Sequence, residues 1–147
     1  MAVSEEEVRS LVGHRFPSGT VSIEHWENVL LSDTTGSAPP GAGLVHPAAL
    51  FHAPLAGVGL RIADLFALFR AESDEAVRAG EYLWELHRPL RENVAYRASG
   101  EVVSVERKQS RSLGTMDVVG YRIDLHDPDD GSLVASTTSS WLVLRSG

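Results

Sequence analysis

The stretch GLVHPAALFHAPLAGVGLRIADLFALF, residues 43–69, is the most apolar run in the chain. Its large apolar side chains recur at steps of three and four, the spacing of one helix face: Phe51, Leu55, Val58, Ile62, Leu65 or Phe66, and Phe69. The spacing predicts a long apolar helix. We expect four of these side chains to be buried under a sheet: Phe51, Leu55, Ile62 and Phe66. Pro47 suits the first turn of this helix, whereas Pro54 is expected to kink or divide it.

Two short helices are predicted before this stretch. Ser4 and Glu7 have the spacing of a capping box, which predicts a helix from about Glu5 to Val12. Ser22 is the predicted N-cap of the second helix, whose apolar residues fall on one face: Ile23, Trp26, Val29 and Leu30. Residues 34–43, between this helix and the apolar stretch, are small and rich in Pro and Gly, which is typical of a loop.

After residue 81 the periodicity changes to that of strands, with Tyr82, Trp84 and Leu86 alternating onto one face. Four strands are predicted: residues 81–89, 94–108, 115–127 and 132–145. The segment DPDDGS, residues 127–132, predicts a hairpin turn between the last two strands. Helices followed by a run of antiparallel strands indicate an α+β fold, with the sheet packed on the apolar helix. Because there is neither an internal repeat nor a linker, we expect a single domain over residues 1–147.

The composition narrows the possible partners and chemistry. A net charge of −7 argues against nucleic acid or an anionic membrane as the main partner, because either would repel the chain. The sequence has no cysteine, which excludes disulfides, thiolate catalysis and thiolate metal sites, and fits a cytosolic, soluble protein. Residues 1–13 are acidic and lack the apolar core of a signal peptide. Charged residues and Pro54 interrupt residues 43–69, so no run is long enough to span a membrane.

Three segments resemble one known family. GLVHP opens the apolar stretch, ELHRPLRENVAYRASGEVVSVERK spans residues 85–108, and DPDDGSLVASTTSSWLVLR closes the chain at residues 127–145. In this order they are similar to MaoC-like dehydratases and to the related dehydratase domain of fungal-type fatty-acid synthases. The resemblance runs from about Val8 to Arg145 and implies a hotdog fold, an antiparallel sheet wrapped around a long central helix.

The same resemblance implies hydration or dehydration of acyl thioesters, carried by coenzyme A or by an acyl carrier protein, without a cofactor. In the family an Asp and a His move the protons, and a backbone N–H at the central helix polarises the thioester carbonyl. Asp33 falls on the position of the family's Asp, but Ala38 stands where its His would be. We therefore take Asp33 and His46 as the candidate catalytic pair, acting as base and acid on the water that is added or lost. An ordinary histidine pKa of about 6.5 suits such proton transfer.

Four residues near GLVHP are candidates for substrate binding: Gly43, Val45, Phe51 and His52. Gly43 lacks a β-carbon and would allow a thioester to approach the backbone closely. His52 lies about 240° around an ideal helix from His46, so the two rings are not expected to share one ligand. Purely structural roles stay open for both histidines and for Asp33, which could end its helix in a solvated loop.

Three functions follow from the resemblance. The first is a hydratase or dehydratase. The second is a non-catalytic hotdog subunit that pairs with an active one, because relatives without the Asp–His dyad are such partners. The third is a thioesterase, for which Asp64 is the only acid in the apolar stretch. We expect a homodimer, or a heterodimer with another hotdog subunit, whose interface completes the acyl site. Without His-x-x-x-His spacing or cysteine, no metal site is expected.

Overall fold

The computed structural model describes residues 2–146, which form one five-stranded antiparallel sheet with short helices against it. The strands lie in the order β1-β3-β4-β5-β2. Their bounds are β1 Gly19–Val21, β2 Val77–Leu86, β3 Tyr96–Ser110, β4 Gly114–His126 and β5 Leu133–Arg145. The helices are α1 Glu5–Arg9, α2 His25–Thr34, α3 Ala53–Gly57 and α4 Ile62–Leu68, with 3₁₀ turns at Pro47–Phe51 and Asp74–Ala76. The α+β class and the four strands predicted from the alternating pattern are therefore confirmed.

The apolar stretch is not one long helix, and that expectation is corrected. It consists of the 3₁₀ turn Pro47–Phe51 followed by α3 and α4. Pro54 lies in the first turn of α3, where its missing N–H leaves no hydrogen bond unmade. Gly59 ends that helix at φ +71°, with its N–H donating to the Ala56 carbonyl and the Leu60 N–H to the Leu55 carbonyl. This is a Schellman motif, which a glycine adopts without a steric penalty.

The breaks change which side chains reach the core. Leu65 and Phe69 are fully buried, although neither was among the four side chains predicted to be buried. The burial predicted for Phe51 and Ile62 is wrong, because they are 68% and 49% exposed. Leu55 and Phe66 pack against the core only in part. Each short helix packs its own face against the sheet. Residues spaced at three and four on either side of a break therefore do not lie on the same face.

A buried ion cluster attaches the end of α4 to the sheet. The carboxylate of Asp117, on β4, accepts hydrogen bonds from Arg107 Nε at 2.8 Å and from Arg145 Nε at 2.7 Å. The Arg145 guanidinium also donates to the backbone carbonyls of Phe69 and Arg70. These carbonyls lie at the C-terminus of α4, where no helical donor remains for them. The cluster therefore joins three strands to the helix and leaves the buried charge of Asp117 paired.

The orientation of α2 also differs from the prediction. Its N-cap is Glu24 rather than Ser22. Three of the four apolar side chains predicted to share one face of this helix are exposed: Trp26, Val29 and Leu30. The inward positions are taken by Asn28 and Ser32, both fully buried and one turn apart. Because α2 packs through a polar residue that hydrogen-bonds to the backbone, its apolar pattern does not identify its buried face.

Candidate functional site

His46 lies at the start of the 3₁₀ turn and is held there by three contacts. Its backbone N–H donates to Asn28 Oδ1 at 2.8 Å. Its ring Nδ1 accepts the Ala48 N–H at 3.0 Å, which makes His46 the N-cap of the turn. Its Nε2 lies 3.3 Å from Thr35 Oγ1, at the end of α2. His46 is therefore a half-buried imidazole with a fixed orientation, between the 3₁₀ turn and α2.

Asn28 connects the GLVHP segment to α2. Its amide donates to the Leu44 carbonyl at 2.8 Å and to Glu92 Oε1 at 3.2 Å, while its Oδ1 accepts from His46. The other oxygen of Glu92 lies 2.7 Å from His25 Nδ1. A buried amide with all of these groups satisfied favours a single backbone path. Sequence analysis did not identify Asn28, and the only signal for it is the polar pair Asn28 and Ser32, spaced one helical turn apart.

Asp33 is exposed in the last turn of α2, and its carboxylate makes no hydrogen bond to His46. The structure does bring the end of α2 to His46, because Thr35, two residues after Asp33, contacts the ring. The two candidate catalytic residues therefore lie in the same region without forming a bonded pair.

The four candidate binding residues fall in different environments. Gly43 is exposed at φ +73°, and its carbonyl accepts the Glu92 N–H at 2.8 Å. Val45 is buried in the core, with its N–H on the Leu90 carbonyl, so its side chain does not line an open surface. Phe51 is exposed and contacts the ring of Tyr82 edge-on, with centroids 5.9 Å apart.

His52 is exposed at the junction between the 3₁₀ turn and α3. It borders a shallow groove on α2 beside Trp26 and Leu30. His52 and His46 both lie beside α2 with different neighbours. The expectation that they do not share a ligand stays a prediction.

An apolar cleft lies between the broken helix and the inner face of β2 and β5, and we call it the aromatic cleft. Its free volume is about 70 Å³, far below the roughly 300 Å³ of a typical ligand pocket. The residues that line it come from both layers: Leu50, Phe51, Pro54, Leu55, Ile62, Tyr82, Trp84, Tyr121, Ile123, Thr137, Ser139 and Trp141. The predicted alternation of Tyr82 and Trp84 onto one face places both rings here. Ser139 and Tyr121 were not identified in the sequence, because they lie among core positions of long strands.

The floor of the aromatic cleft is polar but uncharged. Burial raises the pKa of Tyr121 to about 12, against a smaller opposing effect of its hydrogen bond with Ser139. The phenol therefore stays protonated at physiological pH and is not available as a base. Thr137 Oγ1 donates to the Ile123 carbonyl within the sheet. The cleft thus offers aromatic walls and hydroxyl groups to a ligand, with no ionised group.

A larger groove, of about 520 Å³, lies at the opposite edge of the sheet. Its lining includes Thr20, Arg97 and His126, which are neighbours across β1, β3 and β4. Neither candidate catalytic residue lines this groove. Across residues 2–146, no cluster of three potential metal ligands occurs. No helix of this described part is both long and apolar enough to cross a membrane.

The architecture matches solved structures along nearly the whole chain. A chain of the ChsH1–ChsH2 complex from Mycobacterium tuberculosis has a TM-score of 0.69 at 17% identity, covering 97% of this chain and 90% of that one. The chain has the hotdog fold. A chain of the HadBC (3R-hydroxyacyl-ACP dehydratase) complex from Mycobacterium tuberculosis matches with a TM-score of 0.61 at 14% identity. The match covers 87% of this chain and 96% of that one.

A MaoC-like dehydratase from Phytophthora capsici matches with a TM-score of 0.65 at 13% identity, over 97% of this chain and 49% of that one. The structural neighbours are therefore MaoC-like dehydratases and other hotdog proteins, as the resemblance predicted. No family model matches the sequence, and no curated protein matches it in sequence. At these identities the structural likeness establishes the fold.

Proposed function

We propose that this hotdog protein binds acyl thioesters, carried by coenzyme A or an acyl carrier protein, and adds or removes water next to the thioester carbonyl. The observation that carries the proposal is the position of His46 at the start of the 3₁₀ turn Pro47–Phe51, whose other end forms a wall of the aromatic cleft. A thioester carbonyl at His46 would place its acyl chain toward Phe51. The small cleft volume favours a short acyl chain.

The reaction needs two groups beside the substrate. In dehydration, a base removes a proton from the carbon next to the carbonyl, negative charge develops on the carbonyl oxygen, and the hydroxyl on the following carbon leaves as water. Asp33 is exposed and has no ion pair with any residue between 2 and 146, and His46 is fixed against Thr35 at the end of the same helix. We propose that these two residues share the reaction, with Gly43, Phe51 and His52 around the substrate entrance. Because Val45 is buried, its contribution would be limited to supporting the segment.

A second candidate is a non-catalytic hotdog subunit that shapes the acyl site of a partner. It is favoured by the lack of a bonded Asp33–His46 pair, and two of the structural matches are complexes named for two components. A thioesterase built on Asp64 is less well supported. The Asp64 carboxylate already accepts the Arg61 N–H at 2.8 Å and caps α4.

Further proposals concern assembly and compartment. Within residues 2–146, no strand pairs with the edge of β2 that faces away from β5, and the strand is exposed from Arg78 to Leu86. We propose that a second hotdog chain, identical or different, covers it and completes the acyl site. A cytosolic location fits the chain, which has no cysteine to protect from oxidation.

The test is mass spectrometry of crotonyl-coenzyme A incubated with the protein alone. A gain of one water on the acyl group identifies hydratase chemistry, and loss of the acyl group identifies a thioesterase. An unchanged substrate supports the partner role. If wild type is active while His46→Ala and Asp33→Asn both stay within about twofold of its rate, the reaction takes place elsewhere in the protein. Circular dichroism of each variant confirms that it is folded.

A further inference from the structure

The ring of His46 is held in one tautomer by its neighbours. Nδ1 lies 3.0 Å from the backbone nitrogen of Ala48, whose hydrogen points at the ring. A backbone N–H can only donate, so Nδ1 must be the unprotonated acceptor. The neutral ring therefore carries its proton on Nε2.

The contact on the other side of the ring is compatible with the same tautomer. The Thr35 hydroxyl has one proton, and Oγ1 lies within donating distance of two carbonyl oxygens, those of Ser32 at 2.9 Å and Leu31 at 3.2 Å. A proton directed at either carbonyl leaves Oγ1 with acceptor lone pairs toward His46. Because Ala48 fixes the ring proton on Nε2, Nε2 donates to Thr35 Oγ1 in this arrangement.

The backbone donors at the start of the 3₁₀ turn are already engaged. The His46 N–H donates to Asn28, the Ala48 N–H to the His46 ring, and the Ala49 N–H to the His46 carbonyl. Pro47 has no N–H. The backbone here therefore offers no free N–H to a thioester carbonyl, whereas the Nε2–H of His46 makes only a long bond of 3.3 Å to Thr35.

We infer that neutral His46 is the hydrogen-bond donor that stabilises charge on the thioester carbonyl oxygen, and that Thr35 occupies the donor until substrate displaces it. This rests on the proposed function. Asp33 is then the base. Its carboxylate takes the proton from the carbon next to the carbonyl, and the electron pair moves onto the carbonyl oxygen held by His46. The same proton passes from Asp33 to the leaving hydroxyl, which departs as water as the double bond forms.

The tautomer is measured without substrate. Nitrogen-15 NMR of ring-labelled histidine, at about pH 8 where an ordinary imidazole is neutral, reports which nitrogen is protonated. The His46 signals are those that vanish in His46→Gln. We expect a protonated Nε2 and a bare Nδ1. The tautomer should persist in Thr35→Val, because Ala48 still occupies Nδ1. Protonation of Nδ1, or rapid averaging between tautomers, would overturn the inference whatever the protein does to thioesters.

The kinetic test uses a residue that donates but cannot act as a base. The Gln side-chain amide can present an N–H near the position of His Nε2. His46→Gln should therefore retain hydration of crotonyl-coenzyme A within about tenfold, while His46→Ala, which removes the donor, loses about 10²–10³-fold. Equal loss in the two variants would show that proton transfer by the ring is required. If wild type itself leaves the thioester unchanged, the proposed function fails, and the NMR result still decides the tautomer.

Discussion

At the scale of single residues, the site depends on polar side chains that sequence patterns do not distinguish from surface residues. Asn28 is fully buried and satisfies both the Leu44 carbonyl and the His46 N–H. Its role is to fix the path of GLVHP, and through it the position of the His46 ring. Nothing in the helical periodicity of α2 identifies it, because the neighbouring apolar residues suggest a different inward face.

Asn28→Ala would leave the Leu44 carbonyl and the His46 N–H without partners. We expect the free energy of unfolding to fall by about 1–3 kcal/mol, the usual penalty for buried polar groups left unsatisfied. Urea denaturation measures the change. Val29→Ala, at an exposed neighbouring position of the same helix, is the matched control and should change stability by less than about 0.5 kcal/mol. Equal effects of the two substitutions would mean that the Asn28 network does not hold the segment.

The buried Asp117 predicts an acid-sensitive contribution to stability. Burial by itself raises the pKa of Asp117, but hydrogen bonds from Arg107 and Arg145 outweigh it and hold the pKa below its ordinary value. A carboxyl whose pKa is lowered on folding stabilises the protein above its unfolded pKa, about 3.9, and that stabilisation is lost as pH falls through the folded value. Asp117→Asn should lower the stability near pH 7 by about 3–5 kcal/mol, because it leaves buried arginine charge uncompensated.

Urea unfolding between about pH 7 and pH 3 tests this assignment. The wild type should lose more stability than Asp117→Asn as the pH falls below about 4. Asp33→Asn, at an exposed carboxylate, is the control and should follow the wild-type curve. If the free energy of unfolding of Asp117→Asn depends on pH in the same way as that of the wild type, the ion cluster is not the cause of the acid sensitivity.

At the scale of elements, the alternation of apolar and polar residues predicted the long strands. The helical spacing in residues 43–69 predicted helical structure there but not its breaks. The period of two holds along most of β4 and the second half of β5, and in β3 it shifts by one residue at the bulge between Val102 and Ser104. The apolar stretch is broken at Gly59, where α3 ends in a Schellman motif. A glycine within an apolar pattern does not by itself predict that a helix ends there. The three-residue β1 was not predicted, because it is too short to show any alternation.

The division of the stretch predicts unequal effects of core truncations. Leu65→Ala should lower the free energy of unfolding by about 2–5 kcal/mol, because the residue is fully buried and its loss leaves a cavity. Phe51→Ala, at an exposed ring, should change stability by less than about 1 kcal/mol. Chemical denaturation of both variants measures the two changes in the free energy of unfolding. A larger loss of unfolding free energy in Phe51→Ala than in Leu65→Ala would instead support one continuous helix with Phe51 buried.

At the scale of the whole molecule, an open strand edge lies next to exposed aromatic residues. Tyr82, Leu83 and Trp84 are exposed on β2, whose outer edge has no partner strand among residues 2–146. Unpaired edges of this length, bearing apolar side chains, invite pairing with another chain. The proposed acyl site lies against this same edge through the contact between Phe51 and Tyr82, so assembly and substrate binding are expected to be coupled.

We therefore predict that the protein sediments as a dimer at micromolar concentration, with twice the mass of the 15.9 kDa chain. Leu83→Lys places a charge on the β2 edge and should shift the equilibrium toward monomer. Leu113→Lys, at an exposed position in the turn between β3 and β4, should leave it unchanged. A monodisperse monomer in the wild type would rule out self-association and direct the search to a different hotdog partner.

The most direct test of the account is where a thioester binds. Butyryl-coenzyme A is saturated and cannot be hydrated, so its binding can be followed at equilibrium by two-dimensional amide NMR. We expect the largest shifts on Thr35, His46, Phe51 and Tyr82, and we expect His46→Ala to weaken binding. Shifts confined to the groove at Thr20, Arg97 and His126, with His46 unaffected, would contradict it.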